Sequence, residues 1–259
     1  MRHEPRRDHR GILDPAELLR HVRFRRLPAD PALRRYVEHY WLIDWALPRP
    51  YEQRVLPHPA VNLVFRGDAP GDVVGVIRGL FRTTLDGDGS ICGVQFRPGG
   101  FRPFWHRPVA ELTGRRVALP AGRPICRGTD DDRRAALDAF LLGLGPRPDP
   151  RADRAVGLVD ALRHDPTVVR VAAFARREGL SVRALQRLFV EHVGVTPKWV
   201  LLRYRLQEAI EQAAADVDWA ALAYRLGYSD QAHLVRDFTT MIGLSPTAYA
   251  RSLSIRPGG

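Results

Sequence analysis

The sequence predicts an α+β multidomain protein: a β-rich, barrel-like N-terminal domain followed by an all-α domain with two helix-turn-helix units joined by a long helix. Three observations predict it. One pattern is written twice between residues 168 and 250. In the first copy Ala175 and Gly179 are followed by Leu185 and Phe189, then by Gly194 before Thr196-Pro197. In the second, Ala223 and Gly227 are followed by Leu234 and Phe238, then by Gly243 before Ser245-Pro246. The copies are offset by 48 residues at the Ala and Gly and by 49 from the Leu onward. Second, the run from Lys198 to about Ala214 between them holds no Gly or Pro and reads as one helix. Third, the chain upstream breaks into short β-prone runs punctuated by Gly, Pro and Asp.

Taken in order, residues 1–30 are Arg-rich with little periodicity and read as a poorly ordered segment, with a helical turn from Asp14-Pro15 to Arg20. Residues 31–125 read as a β-rich sensor or dimerisation domain. YVEHYWLIDWAL from Tyr36 fits a strand, or a short helix running into one. RVLPHPAVNLVFRG, VVGVIRGL and SICGVQF each hold a further short strand. A helix is expected over 108–113 and a strand at RVALPA. Residues 126–165 read as a helical linker. One of its helices turns Leu137, Phe140, Leu141 and Leu144 inward, and the other Val156, Val159 and Leu162. Their apolar faces suit packing on the β domain or on a second subunit. Residues 166–259 form the repeated helical domain, entered at Asp165-Pro166.

Within the first copy, Val171, Phe174 and Ala175 mark the inner stripe of a short helix. Gly179 stands where a helix C-terminus needs a left-handed residue, and Ser181 where an N-cap belongs. Leu185, Leu188 and Phe189 face inward on the next helix, leaving Arg183, Gln186, Arg187 and Val190 outward. Thr196-Pro197 opens the long helix, with Thr as cap and Pro at its first position. In the second copy Asp218 caps a helix with the inner stripe Trp219, Leu222, Ala223 and Leu226. Ser229 is expected to cap the next, whose outer side carries Gln231, Ala232, His233 and Arg236. A last helix runs from Ser245-Pro246 to about Leu253.

An outward face of Arg and Gln is commonly no more than a solvated surface. Here it follows a tight turn on a short capped helix, the setting in which a helix enters a major groove. Arg can pair bidentately with guanine and Gln with adenine. Two such helices about 34 Å apart would meet successive major-groove segments on one face of a duplex.

Residues 168–250 resemble the DNA-binding domain of the AraC/XylS family of bacterial transcription regulators. The resemblance rests on Ser181, Leu185, Arg187, Leu188 and Phe189 with Gly194-Val195-Thr196-Pro197, and on Arg203, Arg205 and Leu206. It continues at Ala223, Gly227-Tyr228-Ser229-Asp230, His233, Leu234, Arg236 and Phe238, and closes at Gly243-Leu244-Ser245-Pro246 and Tyr249. It implies one monomer with two helix-turn-helix units binding DNA asymmetrically. The implied base-facing residues are Arg183, Gln186 and Arg187, then Gln231, Ala232, His233 and Arg236. Ala232 departs from the longer side chains of many relatives and offers only apolar contact, for instance to a thymine methyl. Arg203 and Arg205 match a pair in the family's linking helix, for which a structural and a phosphate-binding role are both open. The stretch from Phe96-Arg97-Pro98-Gly99-Gly100-Phe101 through Leu119 resembles the sensor domain of a subset of that family.

Charge supports this reading without proving it. The net charge is +11, but residues 1–150 hold 25 Arg against 18 acids, and residues 151–259 hold 15 basic residues against 11 acids. The excess is thus larger outside the candidate DNA-binding part. Cys92 and Cys126 have no CxxC or Cys/His ligand spacing and read as reduced thiols. His39, His58 and His106 are scattered, without the HxH pair a cupin-like metalloenzyme would use. Neither a GxSxG nor a phosphate-binding loop is present. The expectation is therefore no catalysis, no metal and no cofactor. Double-stranded DNA is the expected partner, with a small-molecule effector, a second copy of the chain and RNA polymerase as further candidates. No apolar span of about 20 residues appears, so a cytoplasmic location without membrane contact is expected. The rival reading is a ligand-binding or enzymatic β-barrel whose helical domain mediates protein interaction. A third keeps DNA binding and makes the N-terminal domain purely dimerising.

Overall fold

The computed structural model describes residues 11–254 except 68, 120, 121, 123–126, 166 and 215. Strands β1 (Val22–Leu27), β2 (Val37–Val55), β3 (Asn62–Arg66), β4 (Asp72–Val74), β5 (Phe81–Phe96) and β6 (Arg116–Ala118) form one antiparallel sheet, in the order β1-β2-β5-β3-β4-β6. The N-terminal half is β-rich as expected. Its spine is the long β2–β5 pair. Pro48 and Pro50 fall in the register shift between Leu47 and Tyr51, where the ladder makes no demand on their missing N–H groups.

Alternation along β2 separates the two faces of the sheet. Tyr40 and Leu42, both fully buried, point to a core shared with Leu63, Val94 and Phe96. That core is closed by α3 (Asp130–Gly143) through Leu137 and Leu141, with Phe140 and Leu144 packed beside them. The Tyr40 hydroxyl donates to Asp138 of α3 at 2.6 Å, so the one polar atom that Tyr40 brings inside is satisfied. His39, Trp41 and Ile43 point the other way, into a cavity of about 200 Å³ to which all six strands contribute.

The segment before residue 30 departs from expectation. Residues 15–27 are structured: α1 (Pro15–His21) is capped by Asp14, whose carboxylate accepts from Glu17 N at 3.0 Å, and β1 pairs along its whole length with β2. The alternation of β1 was hidden because arginines occupy both faces. Arg25 pairs with Asp44 and Asp130 on one side, while Arg26 lines the cavity on the other. Residues 1–10 lie outside the described residues, as does Cys126; Cys92 is buried. The helix expected over 108–113 is a single 3₁₀ turn, Val109–Leu112. Of the run VVGVIRGL only Val73 and Val74 pair as a strand, together with Asp72 before them.

The linker helices pack within the chain. While α3 closes the sheet core, α4 (Pro150–His164) buries Leu158, Val159 and Leu162 against the helical domain. Three ion pairs bind α4 back to the β domain: Arg163–Glu38 at 3.3 Å, with both side chains less than a tenth exposed, Arg97–Asp160 and Arg35–Asp153.

Candidate nucleic-acid interface

The helical domain comprises α5 (Val171–Arg177), α6 (Val182–His192), α7 (Pro197–Glu211), α8 (Trp219–Arg225), α9 (Gln231–Ile242) and α10 (Pro246–Ser254). In the first unit, Ser181 Oγ accepts from Ala184 N at 3.1 Å and starts α6 where expected. Leu185 and Phe189 are fully buried and Leu188 nearly so, in a core shared with Phe174, Ala175 and Val200. The same periodicity leaves Arg183, Gln186 and Arg187 exposed side by side on the outer face. Among the described residues, none of these three side chains makes a hydrogen bond or an ion pair. A row of exposed donors held on a helix whose inner face is buried, and committed to nothing else, is what direct base readout requires.

The second unit repeats the geometry with one correction. Asp230, not Ser229, caps α9: its carboxylate accepts from His233 N at 2.7 Å, while the Ser229 hydroxyl donates to Asp230 at 3.1 Å. The ionised side chain is the stronger acceptor and takes the cap one residue later. Its pKa is lowered first by that backbone hydrogen bond and then by Ser229. Gln231, Ala232, His233 and Arg236 are all exposed. His233 is committed, however. Its Nδ1 lies 3.3 Å from Ser229 Oγ, its Nε2 3.5 Å from Asp237, and its ring stands edge-on to Tyr228. The structure thus brings together three uncommitted polar side chains on α6. On α9 it gathers a looser set, in which Ala232 is short and His233 is tied down.

The linking helix answers the question left open about Arg203 and Arg205. Arg203 is 1% exposed and faces the β domain, where it donates to the carbonyls of Pro57 at 2.9 Å and of Arg78. Its guanidinium lies 4.4 Å from the centre of the Trp199 ring. Burial pulls its pKa down to about 10, still far above neutrality, so it is charged; Nη1 and Nη2 reach the two backbone oxygens, while the buried Nε has no hydrogen-bond partner among the described residues. Gln207, one turn on, donates to Leu56 O at 3.3 Å. Arg205 donates to Val169 O at 3.1 Å and lies over the Tyr228 ring. Both arginines thus make structural contacts within the chain, Arg203 buried and Arg205 half-buried. Two more contacts extend the seam: Thr113 donates to Gly194 O at 2.7 Å and Tyr249 to Leu13 O at 2.6 Å. Gly194 has φ 90°, and a Cβ there would meet Thr113 Oγ1 at 2.8 Å, so this approach of the 3₁₀ turn to the end of α6 requires glycine.

His192, at the end of α6, is buried, with Nδ1 on Leu188 O at 3.2 Å and Nε2 3.4 Å from Asp149. Burial lowers its pKa most; Asp149 and Glu191 oppose the shift and Arg151 adds to it. Because the folded value lies below the unfolded one of about 6.5, the unfolded chain takes up the proton first. Stability from this site is therefore lost as pH falls through about 6.5. The thermal midpoint is expected to drop between pH 7 and 5.5, and His192→Gln to flatten that drop. Equal slopes for the two proteins over this window would sink the assignment. Asp44 and Asp130, whose pKa values are lowered, act only in the carboxylate range below it.

Among the described residues no group of three or more His, Cys, Asp or Glu could hold a metal, and no helix is long and apolar enough to cross a membrane.

Two family models match the chain. One describes a domain of unknown function and covers residues 25–118; the other describes a helix-turn-helix domain and covers residues 174–252. An uncharacterized HTH-type transcriptional regulator from Haemophilus influenzae is 35% identical over 72 residues, which are 27% of this chain and 24% of the relative. The match thus spans about a quarter of that relative's length. Among solved structures, the C-terminal domain of AraT, a response regulator from Geobacillus stearothermophilus, is 22% identical with a TM-score of 0.37, covering 44% of this chain and 93% of that one. ToxT from Vibrio cholerae is 10% identical with a TM-score of 0.44, covering 84% and 98%. The chain thus carries a helix-turn-helix domain, and it stands behind a β-rich domain that matches a family of unknown function.

Proposed function

We propose that the chain is a sequence-specific DNA-binding transcription regulator, working in the cytoplasm and controlled through its β-rich domain. One observation carries this reading: Arg183, Gln186 and Arg187 stand exposed and uncommitted on the second helix of a capped helix-turn-helix unit, and the arrangement recurs at α9. In this reading α6 and α9 enter adjacent major-groove segments. Arg183, Gln186 and Arg187 read base edges from the first, and Gln231, Ala232, His233 and Arg236 touch them from the second. Backbone amides and neighbouring arginines fix register on phosphates. The domain limits that go with it are a β-rich regulatory unit over 31–125, the linker helices over 126–165 and the DNA-binding unit over 166–259.

The test is titration of the full chain against the DNA upstream of its own and neighbouring genes, at several salt concentrations, with random-sequence DNA as competitor. A footprint of about two helical turns per monomer that survives competitor is the expected result. Binding that competitor removes and moderate salt abolishes would mean that the arginine excess alone is at work, and would overturn the proposal.

A further inference from the structure

The corrected cap of α9 fixes how the two recognition helices correspond. Ser181 and Asp230, the caps of α6 and α9, stand 49 residues apart, the same offset as their buried Leu and Phe. Arg183, Gln186, Arg187 and Val190 occupy i, i+3, i+4 and i+7 on α6, a continuous stripe opposite the fully buried Leu185 and Phe189. The offset carries that stripe onto Ala232, Val235, Arg236 and Thr239 of α9, opposite the fully buried Leu234 and Phe238. Ala232, Arg236 and Thr239 are exposed and Val235 is half-buried. Only the arginine of the third slot is kept. The slots of Arg183 and Gln186 become Ala232 and Val235, and that of Val190, itself 39% exposed, becomes Thr239. The middle of the outer face of α9 is thus three methyl-bearing side chains around one guanidinium. Gln231 and His233 flank it, and His233 is held by partners of its own.

Helix stability does not ask for this stripe. Val235 and Thr239 are β-branched, lose χ1 freedom in a helix and are poorer helix formers than straight-chain residues. The same stiffness fixes their methyl groups in space. In the major groove the C5 methyl of thymine is the apolar group that a base pair presents, and small apolar side chains and the threonine methyl meet it by contact. The second unit is also short of charge for phosphates. Residues 218–254 hold three Arg against three Asp, and Arg225 is tied to Gln212, whereas residues 170–196 hold five Arg against two Glu.

We propose that α9 recognises thymines by their methyl groups through Ala232, Val235 and Thr239, with Arg236 supplying the hydrogen bonds. Val235 and Thr239 are then specificity-determining residues. The DNA site has one half chosen by hydrogen bonds under α6 and one thymine-rich half under α9. This inference rests on the regulator reading above.

The test uses the full chain and a site selected from randomised DNA. The α6 half is the one whose preference is lost in the double variant Arg183→Ala with Arg187→Ala. Thymines are then replaced by deoxyuridine, which keeps every hydrogen-bonding group and lacks only the methyl. Replacement in the α9 half should weaken binding roughly ten-fold where two methyls are buried, and replacement in the α6 half by a smaller factor. Val235→Ala and Thr239→Ser should each lessen the α9 penalty. Val235→Gln, which restores the residue that α6 carries in the same slot, should turn a thymine preference at one position into an adenine preference. A damaged fold could not produce that gain. An α9 half without thymine, equal penalties in the two halves, or a Val235→Gln protein that selects the parent's sequence overturns the proposal. A chain that binds all DNA alike overturns the regulator reading and this inference with it. One that holds a specific site and ignores the exchange of thymine for uracil overturns this inference alone.

Discussion

Replacing Arg203 with alanine is expected to destabilise the protein by about 3 kcal/mol. The carbonyls of Pro57 and Arg78 lose their charged donor inside the protein, at roughly 1–3 kcal/mol each where no replacement partner reaches them. The stacking on Trp199 is lost as well, while removal of a buried charge returns part of the cost. For a chain of this size the net corresponds to a fall in Tm of roughly 6–12 °C. A second signature separates this from ordinary core damage. Arg203 and Gln207 tie α7 to the β domain, so the variant should also weaken the coupling between the two halves. Chemical unfolding followed by circular dichroism and by tryptophan fluorescence should then give transitions that no longer coincide. Arg203→Lys, which keeps the charge but cannot span both carbonyls in one plane, should fall between alanine and the parent. A single coincident transition, with less than about 1 kcal/mol lost in the alanine variant, would show that Arg203 is not a tie between the halves.

What the sequence disclosed and what it concealed follow the range of the interactions. The recognition helices were legible because their information is local. Leu185, Leu188 and Phe189 sit at helical spacing, Ser181 caps and Gly179 turns, all within eleven residues. The cap of α9 slipped by one residue because Ser229 and Asp230 are both good caps, and only the geometry of the turn decides which accepts the His233 amide. Strand β1 was hidden because it is an edge strand whose arginines are useful on both faces, one toward Asp44 and Asp130 and one toward the cavity. Arg203 sat in plain view on the inner stripe of α7, three residues after Val200 and seven before Ile210, all three buried. A charged residue on such a stripe signals a buried partner. Its partners could not be read from the sequence, since they are backbone carbonyls 146 and 125 residues away. The cavity on the sheet was unreadable for the same reason: its arginines come from three strands that meet only in the folded sheet.

The two recognition helices should contribute unequally to DNA binding. On α6, Arg183 and Arg187 are exposed, uncommitted and one turn apart, so each can form a bidentate contact with a base or a phosphate. Each truncation should cost ~1–3 kcal/mol at a specific site, and the double variant Arg183→Ala with Arg187→Ala about 2–6 kcal/mol if the two contacts act separately. That is a loss of roughly thirty-fold to more than ten-thousand-fold. On α9, Ala232 has no polar group to lose, and His233 is already engaged by Ser229, Asp237 and Tyr228, so a base must compete with those partners. Gln231→Ala with Arg236→Ala is therefore expected to cost less than the α6 pair, and to lower affinity without much change in which sequences are preferred. Binding selection from a randomised DNA pool distinguishes the two. Loss of α6 side chains should erase preference within one half of the footprint, whereas loss of α9 side chains should leave the selected sequence recognisable and raise its Kd. The reverse pattern would place the principal reading head on α9. The committed His233 would then be a positioned base contact, held ready by the Ser229–Asp237 network.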